Sequence, residues 1–249
     1  TSRRQRQMCI RDSTTPEGEQ VNIYGNHVGS WNFAATAYLN RWKVKIYYEH
    51  YFDDHSQMFF QYGRWKDGHI GLEITFPKNR FIDTFVYEGL GTKDQTGPML
   101  YDSFWGEFEE QISAKDNYYN HYLYQGWQHW GMGIGNPLLP GPIYNKNGQI
   151  TFISNRVLAH HIGFCGSPCQ SLSYRMLLSY SRHWGTYDNP LNEIKKQFNS
   201  LFEVTYAPQQ LKGWSFTVSG AMDRGNLLGN NYGGMLVIRK QGIIKSGNK

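Results

Sequence analysis

No stretch of this 249-residue chain holds anything near 18 consecutive apolar residues, which excludes a transmembrane helix. That absence leaves a transmembrane β-barrel open, because barrel strands show only an alternation of apolar and polar residues. Charge is scarce, at 18% Asp, Glu, Lys and Arg, with a mean hydropathy of −0.62. No Gly-x-Ser-x-Gly elbow occurs, and no Walker-type or dinucleotide glycine pattern. The N-terminus lacks the apolar stretch of a secretory signal. The chain is rich instead in glycine and aromatics, with 27 Gly, 18 Tyr, 14 Phe and 8 Trp. Such a composition suits a turn-rich, all-β chain rather than a helical cytosolic one.

Residues 1–13 differ in character from the rest of the chain. The run Arg3-Arg4-Gln5-Arg6-Gln7-Met8-Cys9-Ile10-Arg11-Asp12-Ser13 has neither helical nor strand periodicity and resembles translated sequencing adapter. Excluding it removes four Arg and one Asp, which lowers the formal charge from +5 to +2 and leaves little basis for a nucleic-acid footprint.

From Val28 onward the chain alternates. Trp31, Phe33, Ala35, Ala37 and Leu39 oppose Ser30, Asn32, Thr36 and Tyr38, and Trp42, Val44, Ile46 and Tyr48 oppose Lys43, Lys45, Tyr47 and Glu49. Ile70, Leu72, Ile74 and Phe76 come next, then a less regular segment over 80–88 and another over 150–165. Leu172 to Ser181, Phe198 to Tyr206, Trp214 to Asp223 and Tyr232 to Arg239 complete nine segments. Period-two patterning over about 9–11 residues fits tilted membrane-spanning strands.

Short turns at 40–41, 77–79, 166–168 and 207–213 alternate with longer links at 53–68, 89–148, 183–196 and 225–231. This order predicts an antiparallel up-and-down transmembrane β-barrel, with short periplasmic turns and long external loops. Trp31, Trp42, Phe52, Phe76, Phe81, Tyr87, Trp184, Tyr206, Trp214 and Tyr232 sit near strand ends, where interfacial girdles are expected. Nine strands that start outside and end inside require an odd number more, since single-chain barrels have even counts. Residues 14–249 are therefore expected to be the C-terminal portion of a larger barrel.

Several motifs carry a family look: Gly25-Asn26-His27-Val28-Gly29-Ser30-Trp31, Glu49-His50-Tyr51-Phe52-Asp53-Asp54, Gly131-Met132-Gly133-Ile134-Gly135-Asn136-Pro137-Leu138-Leu139, Asn155-Arg156-Val157 and Gly225-Asn226-Leu227-Leu228-Gly229-Asn230-Asn231-Tyr232-Gly233. In this order they resemble the Wzi-type capsule assembly family, across most of residues 20–245. The resemblance implies an eighteen-stranded outer-membrane barrel with a lectin-like, non-catalytic role: binding and anchoring capsular polysaccharide. The expected partners are capsular polysaccharide and outer-membrane lipid, with no nucleic acid, no cofactor and no metal, in a monomer. The ending Lys245-Ser246-Gly247-Asn248-Lys249 lacks the usual terminal aromatic of a barrel.

The link at 89–148 is long enough to carry function. Its cluster Tyr118, Tyr119, Tyr122, Tyr124, Trp127 and Trp130, with His121 and His129, offers rings for stacking on sugar faces or for plugging the lumen. Tyr122, Tyr124, Trp127 and Trp130 are the candidate carbohydrate-binding residues there. Lys43, Lys45, Arg175 and Arg239, interleaved with Glu49, Glu73, Glu203 and Asp223, fall on the lumen-facing positions. Lys43 and Arg175 are the candidates for an anionic polysaccharide, because such groups form charge-assisted hydrogen bonds. A helix over 103–114 would carry Glu107, Glu109 and Glu110, the carboxylates of a glycan-hydrolysing barrel in a second, enzymatic reading. The alternation also fits a lipid-hydrolysing barrel, whose triad would need only spatial proximity, and a porin-like channel. Cys165 and Cys169 frame a hairpin and are placed for a small disulfide clamp, whereas His160 and His161 point to opposite faces and do not share a metal.

Overall fold

A computed structural model describes residues 28–53, 67–78, 81–95, 117–120 and 127–242. Its strands are β1 (Val28–Leu39), β2 (Trp42–Asp53), β3 (Gly68–Thr75), β4 (Thr84–Gly91), β5 (Gln128–His129), β6 (Met132–Gly133), β7 (Val157–Cys169), β8 (Leu172–Gly185), β9 (Pro190–Tyr206), β10 (Trp214–Gly225) and β11 (Asn231–Lys240). Nine of them form one antiparallel sheet in the order β1-β2-β3-β4-β7-β8-β9-β10-β11, and β5-β6 is a separate hairpin in the link between β4 and β7. Each strand of the large sheet lies beside its neighbour in the chain, the up-and-down arrangement expected from the alternation. The described residues form an open sheet: β1 and β11 do not pair with each other. With nine antiparallel strands the two outer ones run in the same direction, so they could not close on each other antiparallel.

The register sorts the side chains into two faces. Phe33, Tyr48 and Ile70 lie side by side across β1, β2 and β3, and Ile74, Phe85, Phe164, Met176 and Phe202 continue the same face across β3 to β9. Val204, Val218 and Leu236 carry it to β11. This apolar face is bare: Phe33 is 54% exposed, Phe202 51%, Val218 61% and Leu236 65%. A contiguous apolar surface of this width is what hydrocarbon requires and what water penalises. Aromatics mark its two ends. Trp42, with the Phe76 ring 5.0 Å away, Tyr206 and Trp214 stand at the tight-turn end, and Trp31, Tyr87, Tyr180, Trp184 and Tyr232 toward the other.

Four boundaries differ from the alternation pattern. β7 begins at Val157 rather than 150, and β4 at Thr84 rather than 80. The β7–β8 turn is Gln170-Ser171 instead of 166–168, with a register irregularity between Gly166 and Cys169. The link at 183–196 shrinks to 186–189, because β8 runs to Gly185 and β9 starts at Pro190. Strict alternation of loop lengths therefore fails at this hairpin. The physical reason is that the extensions of β8 and β9 leave the apolar band: Arg182 stands opposite Lys196 there, so nothing imposes a hydrophobic period.

Among the described residues, a compact core lies on the polar side of the sheet, at the end away from the tight turns. Leu90, Val157 and Ala159 of the wall meet Leu139 and Phe152 of the link, with Tyr51, Tyr119 and Leu138 around them. The described part of the link thus packs over the polar face of the sheet. No helix among the described residues is long and apolar enough to cross a membrane.

Candidate functional site

The polar face of the sheet carries a hydrogen-bonded belt. Every one of Lys43, Lys45, Glu49, Glu73, Arg175, Glu203, Asp223 and Arg239 stands on this face by register, as the alternation predicts. Lys43 pairs with Glu73 on the next strand at 3.5 Å and Arg175 with Glu203 at 3.3 Å, so opposite charges do lace the wall. Both site candidates are thus already neutralised from a neighbouring strand. The belt continues with Asn199 Nδ2 donating to Asp223 Oδ1 at 2.7 Å and Thr205 with Thr217 at 2.8 Å.

Its densest part is a cluster that pattern reading passes over. His69 lies between two carboxylates, with Nδ1 3.7 Å from Glu49 and Nε2 3.5 Å from Glu88. Ser30 Oγ donates to Glu49 at 2.6 Å, and Tyr47 donates its phenolic hydrogen to Glu88. His161, one strand further, is hydrogen-bonded to Ser179 at 2.6 Å, whereas His160 faces the other way and meets Tyr87 at 2.8 Å. The two histidines do point to opposite faces. The signal for His69 and Glu88 was their place on the polar face of β3 and β4, hidden by the irregular alternation of residues 80–88.

The upper rim is sewn together by amides. Asn120 Nδ2 donates to the Phe152 carbonyl at 2.8 Å while its Oδ1 accepts from Phe152 N at 2.8 Å, a side chain acting as a strand partner. Asn155 Nδ2 donates to Tyr118 O at 2.8 Å, and Thr92 Oγ1 donates to Asn155 O at 2.6 Å. Asp67, buried just before β3, accepts from Asp94 N at 2.9 Å, from Gln95 N, and from the Tyr118 hydroxyl at 3.1 Å. Burial outweighs these donors and pushes the Asp67 carboxyl up to about 6.

The aromatic cluster divides. Tyr118 and Tyr119 fold inward, and Tyr119 packs on Phe152 with ring centres 5.1 Å apart. Trp127 stands edge-on to Tyr119 at 6.2 Å, and its buried Nε1 finds no acceptor among the described residues. Trp130 does the opposite: 85% of it is exposed. It forms, with Gly131, the two-residue loop of the β5–β6 hairpin, at φ 52° and 78°. Positive φ at both positions is the type I′ geometry that favours Asn-Gly, so a bulky Trp is held there against its backbone preference. The tip is fixed by Gly131 N donating to Gln128 Oε1 at 2.7 Å and by Ile143 N donating to Gly131 O at 2.9 Å. Tyr122, Tyr124, His121, the stretch 103–114 with Glu107, Glu109 and Glu110, residues 1–13 and the C-terminal Lys245 to Lys249 lie outside the described residues.

The disulfide expectation does not hold. Cys165 and Cys169 are both unbonded and belong to one strand, β7, rather than to two sides of a turn. Four steps of extended chain span roughly 13 Å, well beyond what a bridge tolerates. No cluster of metal-ligating residues occurs among the described residues.

The fold and site therefore define a two-faced antiparallel wall, apolar on one face and polar on the other, with the described part of the link packed over the polar face at one end. No family model, no curated protein and no solved structure matches the chain.

Proposed function

We propose that this chain belongs to an outer-membrane β-barrel of the Wzi type, acting as a monomeric surface lectin that binds and anchors capsular polysaccharide. The observation that carries the reading is the two-sidedness of the wall: a bare apolar face nine strands wide backs a face of paired charges and hydrogen-bonded polar groups. A sheet of that kind belongs with its outer side in hydrocarbon and its backbone edges met by further strands. Trp130 supports the lectin role, because its exposed indole sits at the tip of an anchored hairpin, as an aromatic platform for a sugar ring requires. Its backbone strain is supported by surrounding hydrogen bonds, as at many functional positions.

The test is equilibrium binding of capsular polysaccharide to the vesicle-reconstituted protein. Trp130→Ala weakens binding several-fold without changing reconstitution. Lys43→Gln and Arg175→Gln also weaken it, but less cleanly, because each strands a carboxylate partner on the wall. Unchanged affinity in all three variants would remove the lectin assignment.

A further inference from the structure

On the outward face, just beyond the apolar band, cations gather on adjacent strands. Arg182 of β8 stands directly opposite Lys196 of β9, and Arg224 of β10 stands opposite Phe198 on the same face. Arg156 continues the ladder beyond Val157, its carbonyl accepting from Trp184 N at 3.0 Å, and its guanidinium donates to the Lys93 carbonyl at 3.2 Å. Lys93 and Arg182 both lie over the Trp184 ring, at 4.9 and 5.4 Å, and Arg156 lies over Tyr187 at 4.0 Å. These aromatic planes hold Lys93, Arg156 and Arg182 in place.

Like charges placed directly opposite on one sheet face repel each other. Among the described residues, none of Lys93, Arg156, Arg182, Lys196 and Arg224 has an ion-pair partner. The nearby acids do not compensate. Glu193 is engaged by Lys195 at 2.7 Å, Asp67 by the Asp94 and Gln95 amides and Asp188 by Asn117 at 3.5 Å, and none of these, nor Asp94, pairs with one of the five cations among the described residues. The patch is also one-sided: the outward positions at the same end of β1, β2 and β3 are Trp31, His50, Phe52 and Ile70.

We infer that this patch binds the phosphorylated headgroup of an anionic lipid whose acyl chains lie on the apolar face below it. The inference rests on the membrane-spanning reading of the wall. Its occupant is set by continuity: directly beneath Arg182 and Lys196 come Tyr180 and Phe198, with His160 beside them, and below these Ile162, Leu178 and Met222, with Ser200 among them, a passage from charged to interfacial to largely apolar surface. A free anion has no use for that passage, whereas a lipid follows it. Arg presents a fork that matches phosphate oxygens in pairs, and Arg156, Arg182 and Arg224 are three of the five cations.

The chain, joined to the further strands that complete its sheet, is reconstituted into phosphatidylethanolamine vesicles carrying either bisphosphorylated lipid A or the same lipid stripped of phosphate, and retention of labelled lipid is measured. The phosphorylated form is retained preferentially, and the double substitution Arg182→Gln with Lys196→Gln reduces that preference roughly tenfold. A second pair, Lys93→Gln with Arg224→Gln, reduces it in the same direction. Flotation of each variant with vesicles reports membrane insertion separately. A protein that floats but retains both lipids equally, or whose preference survives both double substitutions, overturns the headgroup site alone. A protein that fails to float overturns the membrane reading itself. A patch that instead captures a soluble acidic polysaccharide without vesicles, and loses it on the same substitutions, overturns the lipid assignment.

Discussion

The ring of Tyr47 occupies the space a side chain at Gly71 would need: a Cβ built on Gly71 would stand 2.0 Å from Tyr47 Cζ. By crossing over β3 in this way, the phenol reaches Glu88 on β4. Gly71→Ala is expected to displace the ring and break that hydrogen bond, at a cost of about 1–3 kcal/mol. Urea denaturation of the reconstituted protein checks it. In the double variant with Tyr47→Ala, the added methyl group should cost much less, and equal costs in both backgrounds would contradict the crossing.

The rim is expected to loosen as pH rises. The Asp67 carboxyl is raised to about 6 from its ordinary 3.8, so the folded state holds that proton more tightly than the unfolded chain. Its contribution, up to roughly 3 kcal/mol, is complete below about pH 4 and disappears as pH climbs through 6. Hydrogen exchange at the Asp94 and Gln95 amides, corrected for intrinsic rates, should be better protected at pH 5 than at pH 7.5. Asp67→Asn should flatten that difference.

Asn120 holds the link to itself through both ends of its side-chain amide, Nδ2 donating and Oδ1 accepting. Asn120→Ala removes two hydrogen bonds and leaves the Phe152 backbone without that partner, costing about 1–3 kcal/mol. Limited proteolysis should cut within 92–156 sooner in the variant while the strands of the wall stay protected. Equal cutting rates would mean the cap is held by its apolar core alone.

Both cysteines of β7 should react as unbridged thiols. Cys165 and Cys169 should react with a thiol reagent in denaturant to the same extent with and without prior reduction. A gain in reactive thiol on reduction would show a bridge and a different β7–β8 hairpin.

How much of this was legible in the sequence depended on where hydrocarbon would impose order. The period of Trp31, Phe33, Ala35, Ala37 and Leu39 placed β1 correctly, and the charges Lys43, Glu73, Arg175 and Glu203 all fall on one face. Beyond the apolar band the same logic loses its signal, so the tops of β8 and β9 read as a long loop although their backbones continue pairing to Gly185 and Pro190. The cysteines misled because a Gly-Ser-Pro run looks like a turn, while the chain instead passes through it as an irregular strand. The division of the aromatic cluster was illegible for another reason. Whether Tyr119 or Trp130 points outward is decided by long-range contacts with Phe152 and Ile143 that no local pattern encodes.

Single spin labels at positions 33, 202 and 218 on one face, and at 36, 205 and 217 on the other, would locate the wall most directly once the protein is in vesicles. Labels of the first set are expected to be reached by dissolved oxygen and shielded from a water-soluble nickel complex, and those of the second set to show the reverse. Equal nickel access on both faces, or the opposite pattern, would contradict a wall that faces hydrocarbon on its apolar side.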